Sequence, residues 1–327
     1  MASIFCFNES LYDSSRWATR TVSVSAPSGT TTAALPATNI FTRNPAQYFE
    51  RTGITSGDTV TLDISLTAAT APPPLLGNIS AVIGLLNCHA VRESTGSLLD
   101  TTVRVRESST AFTGPYDIDE TRTIYLTAFQ SAATRQAFMV RNGTSGLVAA
   151  SSAQFKQQGG NEYRQYVRID ITCASGSAWT LRVGRVVMMS GLVCTIRHTP
   201  SRGSADESEV VRAFNGYPYV LTRSPLRGYS GTICALTDRQ VHGTFLAEDS
   251  TNYFYPSINT ISRVTGRFGE VCVIERMAAP DSSSVWQSSP VFGLLSEGLV
   301  ASRLESTGDG AEGIWESNFD VKEIPQF

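Results

Sequence analysis

Lysine is almost absent. Only Lys156 and Lys322 occur, and every other basic side chain among the 26 is an arginine. Arginine is favoured over lysine at protein–protein contacts because its planar fork pairs bidentately and sheds water more readily. A GC-rich genome, which favours arginine codons, accounts for the bias equally well. Charge of either sign is also scarce, at 17% of 327 residues, against roughly 25% in ordinary soluble chains. The formal net charge of −3 argues against a nucleic-acid partner, which calls for a basic patch. The six cysteines (Cys6, Cys88, Cys173, Cys194, Cys234 and Cys272) never fall within four residues of one another, which excludes zinc and iron–sulfur spacings. They read as small core hydrophobes in a chain folded in a reducing cytoplasm. The first residues lack a basic segment followed by an apolar one, so no secretion signal is expected. No run approaches the ~18 apolar residues of a membrane-spanning helix.

What is abundant is short alternation. Thr59-Val60-Thr61-Leu62-Asp63-Ile64, Thr102-Val103-Arg104-Val105-Arg106, Tyr166-Val167-Arg168-Ile169-Asp170-Ile171 and Thr180-Leu181-Arg182-Val183 each put apolar side chains on one face and Thr, Arg or Asp on the other. Ile79 to Leu86 is more continuously apolar, as in a strand covered on both faces. Strands at this spacing predict a mostly β chain, with an N-terminal jelly-roll or β-sandwich. Helical spacing is clearest after Pro256, where Ile258, Ile261 and Val264 recur at three-residue intervals until Gly266 and Gly269.

The expected organisation is an N-terminal arm over 1–30 and a jelly-roll over 31–195. A linker at 196–212 then leads to a smaller, β-rich α+β domain over 213–327, with one helix near 256–266. Residues 107–162, rich in Ser, Thr, Gly and Gln, read as an insertion with a hairpin at Arg122–Phe129. The turn-rich, then acidic stretch from Arg197 to Glu209 supports the linker, and Pro72-Pro73-Pro74 a surface connection.

Taken in order, several segments resemble siphophage minor tail and baseplate-associated structural proteins. These are Ala34-Leu35-Pro36-Ala37-Thr38-Asn39-Ile40 with Tyr48-Phe49-Glu50-Arg51-Thr52, then Val60–Ile64 and Ala81–His89. Thr102–Arg106, Tyr166–Ile171 and Leu181–Arg185 follow, the last resembling the final strand of a galactose-binding-like jelly roll. Gly266–Val273, Val291–Leu295 and Trp315–Ile324 complete the series. The chain departs from the family around Cys88, where Asn87 and His89 flank a cysteine in place of a Gly-His-Asn run. The resemblance implies a virion tail protein, assembled in the host cytoplasm, that joins other tail or baseplate proteins in several symmetric copies.

Chemistry is sparse. His89, His198 and His242 have no ligand-spaced partner, and Cys194 with His198 lacks a third orienting group, so neither metal binding nor nucleophilic catalysis is expected. Tyr116-Asp117-Ile118-Asp119-Glu120 is the densest acidic loop, but lacks the glycine and distal glutamate of a calcium loop. Gly159-Gly160 has no Lys-Ser/Thr after it to cradle phosphate. The expectation is therefore no enzyme, no cofactor, and no catalytic, cofactor-binding or metal residue. The aromatic residues Trp179, Trp286, Trp315, Tyr217, Tyr219, Tyr253 and Tyr255 keep an alternative open: a carbohydrate-binding module that recognises host surface polysaccharide by stacking.

Overall fold

Antiparallel strands account for nearly all the regular structure. The computed structural model describes residues 3–7, 19–44, 47–67, 79–108, 110–116, 118–124, 137–142, 166–197, 201–205, 209–212, 218–221, 226–242, 257–266, 269–274, 291–305 and 313–323. In chain order the strands begin with β1 (Ser3–Phe7), β2 (Thr19–Ser25), β3 (Thr30–Thr31), β4 (Phe49–Ile54), β5 (Thr59–Thr67), β6 (Ile79–Arg92) and β7 (Leu98–Leu99). There follow β8 (Thr101–Ser108), β9 (Ile118–Ile124), β10 (Ala137–Asn142), β11 (Tyr166–Thr172), β12 (Trp179–Ile196) and β13 (Ser201–Ala205). The last are β14 (Glu209–Arg212), β15 (Pro218–Leu221), β16 (Leu226–Leu236), β17 (Glu270–Ile274), β18 (Val291–Leu295), β19 (Val300–Glu305) and β20 (Ile314–Glu323). A 3₁₀ turn, η1 (Ala37–Phe41), and two short helices, α1 (Asp238–His242) and α2 (Ile258–Thr265), interrupt them.

One sheet runs β2-β5-β11-β8-β9, antiparallel throughout. The two-residue period turns Val60, Leu62, Ile64, Val103, Val105, Val167, Ile169 and Ile171 inward, and all are buried. They meet Phe49, Ile54, Cys88, Ala90, Trp179, Leu181 and Val183 from β4, β6 and β12, which closes a β-sandwich. Trp179 lies wholly inside, its indole Nε1 donating to the Thr55 carbonyl at 3.1 Å, so its one polar atom is satisfied.

The second sheet, of thirteen described strands, follows the order β10-β6-β12-β1-β17-β18-β20-β16-β13, with β3, β4, β7 and β19 branching from it. Its link between halves is β12. Trp179, Leu181, Val183 and Val186 from this strand enter the first core, while Leu192, Cys194 and Ile196 enter a second. That second core gathers Phe5, Tyr229, Val271, Val273, Phe319 and Val321 with Ile258 and Ile261 of α2. Phe319 meets Phe5 edge-on at 5.4 Å and Tyr229 at 5.6 Å. Helix α2 follows from Ile258 and Ile261 at one-turn spacing, and ends at Gly266, whose φ of 54° is glycine's territory. A capping box opens α1: the Gln240 amide donates to Thr237 Oγ1 at 3.3 Å, and the Thr237 amide to Gln240 Oε1 at 2.9 Å.

Asn87 and Gly184 set the geometry of the long β6–β12 ladder. Ile83 and Leu85 face the first core from odd positions, yet Cys88 and Ala90 face it from even ones. The switch falls at Asn87, at φ 49°, between the pairs Val183↔Cys88 and Arg185↔Leu86. Opposite stands Gly184, where an added Cβ would lie 2.8 Å from Asn87 Cβ. A side chain at 184 would block the local kink by which both strands change face.

The expected organisation changes in three places. Residues 1–30 do not form an arm where they are described: Phe5 is buried, β1 is paired on both sides by β12 and β17, and β2 forms an outer strand of the sandwich. Their Ser and Thr content misleads because those residues take the outward positions of β2, while Val22 and Val24 pack inward. The 196–212 segment is no linker. Ile196 is buried at the end of β12, and β13 and β14 occupy 201–205 and 209–212, with β13 bonded to β16. Within 107–162, β9 completes a hairpin with β8 and β10 edges the second sheet on β6. Of the hairpin expected at Arg122–Phe129, residues 125–129 lie outside the described residues, and Arg122 to Ile124 belong to β9. No helix among the described residues is long and apolar enough to cross a membrane.

Candidate functional site: the outward face of the five-stranded sheet

The alternation that fills the core leaves its polar half on the opposite face, and register arranges that half into rows. Asp63 of β5, Arg168 of β11, Arg106 of β8 and Asp119 of β9 stand directly opposite one another in sequence across four strands. The next row is Thr61, Asp170, Arg104 and Thr121. Two arginines face each other in the first row, an arrangement that is unfavourable unless each finds a carboxylate.

Each does. The Arg168 guanidinium grips Asp63 with two bonds, Nε–Oδ1 at 2.5 Å and Nη2–Oδ2 at 2.6 Å. Arg106 turns diagonally to Asp170, which also accepts from Thr61 Oγ1 at 2.8 Å. Arg104 bonds Asp119 through Nε at 2.6 Å and again through Nη2. The hydrogen bond from Arg104, ahead of its charge, holds the Asp119 carboxyl below its ordinary range. The bonds that Arg168 donates to Asp63 likewise raise its guanidinium above the ordinary value.

Loop 110–116 folds back over this lattice. The Tyr116 hydroxyl accepts from Nη1 of Arg106 at 3.3 Å and of Arg168 at 3.5 Å, and donates to the Phe112 carbonyl. Its ring lies 4.7 Å from the Arg106 guanidinium, and the Phe112 ring 5.7 Å from that of Arg168. Phe112 in turn meets Tyr166 edge-on at 5.0 Å. Two aromatic rings are thus pinned on two guanidiniums, beside carboxylates that retain lone pairs. Arg104 and Asp119 remain open to solvent at 43% and 39% side-chain exposure. The chemistry available is planar hydrogen bonding next to fixed, half-buried rings.

Of the aromatic residues expected to stack sugars, the two described tryptophans lie away from this face. Trp179 is sealed in the first core. Trp315 is half-buried in β20, its Nε1 donating to Asp238 at 2.5 Å, with His242 edge-on at 5.1 Å and Arg303 5.9 Å above the ring. Tyr219 is in β15, while Trp286, Tyr217, Tyr253 and Tyr255 lie outside the described residues. His89 is buried in β6 and His242 is exposed at the end of α1, where Asn259 bonds it at 3.1 Å; His198 lies outside the described residues. Among the described residues, no three His, Cys, Asp or Glu side chains are grouped to hold a metal. Burial pushes the Cys194 thiol up to about 12, the opposite of an activated nucleophile. In the acidic loop, Asp119 is a strand residue paired with Arg104, Glu120 follows it in β9, and Asp117 lies outside the described residues, as do Gly159 and Gly160. Sequence reasoning passed over Arg104, Arg106, Arg168, Asp63 and Asp170 as solvent-facing residues. Their alternation was visible, and the cross-strand register that joins them was not.

No known protein family and no curated protein matches this chain. Among solved structures, the N-terminal CBM22-1-CBM22-2 tandem domain from Paenibacillus barcinonensis Xyn10C aligns with 98% of this chain and 89% of its own, at 8% identity and a TM-score of 0.25. A likeness that loose carries no argument about fold or function.

Proposed function

We propose that this chain is a non-catalytic recognition protein that binds a polysaccharide on the outward face of the five-stranded sheet. The observation that carries the reading is the Tyr116 hydroxyl held between Arg106 and Arg168, with its ring and that of Phe112 laid on the two guanidiniums. Sugars present adjacent hydroxyls that suit planar forks and carboxylates, and C–H faces that suit aromatic rings. Because each fork is already braced, little side-chain entropy remains to be lost on binding. Tyr116→Ala, assayed on immobilised bacterial surface polysaccharides, is expected to weaken binding at least about tenfold, the size of one lost ring contact. Its melting temperature should stay near that of the wild type. Undiminished binding by the variant, or none by the wild type, would sink the reading.

A second reading has its own support. The ordered segments that resemble siphophage minor tail and baseplate proteins favour a virion structural role. So do the exposed apolar side chains of β19 and β20 in the second sheet, Val300, Leu304 and Ile314, at 72%, 49% and 41% exposure. In this reading the chain sits in the tail in several symmetric copies, is assembled in the host cytoplasm, and meets neighbouring tail or baseplate subunits through β19 and β20. The two readings are compatible in a tail-tip subunit that also contacts the host glycan. Gold-labelled antibody on purified virions should mark the distal tail; label absent from the particle would remove this second reading.

A further inference from the structure

On the inward side of the same five-stranded sheet, the outer strand β2 carries an arginine with no carboxylate bonded to it among the described residues. Arg20 belongs to β2, where Val22 and Val24 at the same parity pack into the first core, so the two-residue period points Arg20 inward as well. Its guanidinium lies 5.2 Å from the centroid of Phe41, the last residue of η1. That turn packs against β2, β4 and β12 together, and so gathers their charged residues at one place. From β12 comes Arg185, buried and doubly bonded to Glu270 at 2.7 and 2.9 Å. Just beyond η1, Arg43 Nε reaches the same Glu270 at 3.2 Å. One carboxylate thus serves two arginines. Arg20, the third, has a ring and a guanidinium as its neighbours, with no carboxylate bonded to it among the described residues. Partial burial, and then repulsion from Arg185, draw its pKa below the ordinary guanidinium value.

A leucine at position 20 would continue the apolar series of Val22 and Val24 without that electrostatic burden. We infer that Arg20, backed by Phe41 and the adjacent Arg185, holds an anionic group (a phosphate, sulfate or carboxylate) beside η1. Arginine's planar fork matches such oxyanions bidentately, and a bound anion would relieve the repulsion between Arg20 and Arg185. The anion can be free in solution or borne by an acidic sugar. The site lies apart from the Tyr116 face and does not depend on the glycan reading.

The test compares wild type, Arg20→Leu and Arg20→Lys by thermal unfolding, with inorganic phosphate or a glucuronic-acid oligosaccharide against sodium chloride at equal ionic strength. Wild type is expected to gain a few °C with at least one probe, since a ligand that binds only the native state raises its midpoint. Arg20→Leu should gain none from that probe, yet melt at or above wild type without anion; Arg20→Lys should keep part of the gain. A response to phosphate assigns a free oxyanion, and a response to the oligosaccharide alone assigns an acidic sugar; both support the site. Equal gains in wild type and Arg20→Leu, no gain in wild type, or an Arg20→Leu midpoint well below wild type without anion would each overturn it.

Discussion

The two large sheets of this molecule both feed buried cores, and differ in what they leave exposed. The five-stranded sheet carries paired charges on its outward face: Asp63, Arg168, Arg106 and Asp119 in one row, with Asp170 and Arg104 in the next. At β19 and β20 the second sheet carries exposed Val300, Leu304 and Ile314 instead. Cross-linked forks and rings suit a polar ligand that arrives and leaves, because nothing need rearrange to meet it. Exposed apolar side chains on two paired strands suit instead a contact that covers them and lasts. Between the two faces stands β12, one continuous strand that feeds both cores.

The largest expected effect tests that dependence. Trp179→Ala empties the centre of the first core and should destabilise the protein by about 3–5 kcal/mol in denaturant titration. Because β12 continues into the second core, both halves should unfold in a single transition. Two separated transitions would show that the cores are energetically independent.

Close behind comes the buried pair that ties β12 to β17. Glu270→Gln leaves Arg185 buried without its carboxylate and should cost on the order of 3 kcal/mol or more, while Arg185→Met with Glu270→Gln together should recover much of the loss. If the double variant is no better than Glu270→Gln alone, the pair is not the cause of that cost.

The smallest effect sharpens the outward face itself. Asp119 has a depressed pKa, so its pairing with Arg104 contributes stability above the ordinary carboxylate range and loses it as pH falls through the lower, folded value. Asp119→Asn should remove that component of the acid-side pH dependence and cost well under about 1 kcal/mol near neutral pH, since the pair is open to solvent. An unchanged acid-side profile in Asp119→Asn would mean the pairing does not persist in solution.

Much of the architecture was legible because strand alternation is local. Thr102–Arg106 and Tyr166–Ile171 declare both their inward valines and isoleucines and their outward charges within a few residues. Where the reading of β1, β2 and the 196–212 segment failed, composition had stood in for position. Serine and threonine look like loop or arm residues in a list, and are ordinary strand residues when they alternate with Val22 and Val24. β1 offered only Ile4, Cys6 and two phenylalanines, Phe5 and Phe7. Its assignment depends on Val271–Ile274, more than 250 positions away in the chain.

The chain by itself determined that this is a mostly β protein, which residues of the clearest strands face inward, and where α2 ends. Those are consequences of backbone periodicity and of glycine's freedom at Gly266. Tertiary structure alone decided which outward residues meet. Arg106 and Arg168 lie 62 positions apart, and Asp63 lies a further 43 before Arg106; only the register of β5, β11 and β8 brings them into one row. Register is set by packing of the opposite, apolar face, because a slip of one residue would turn every valine and isoleucine of a strand to water. The core therefore chose the arrangement of the face that stands farthest from it.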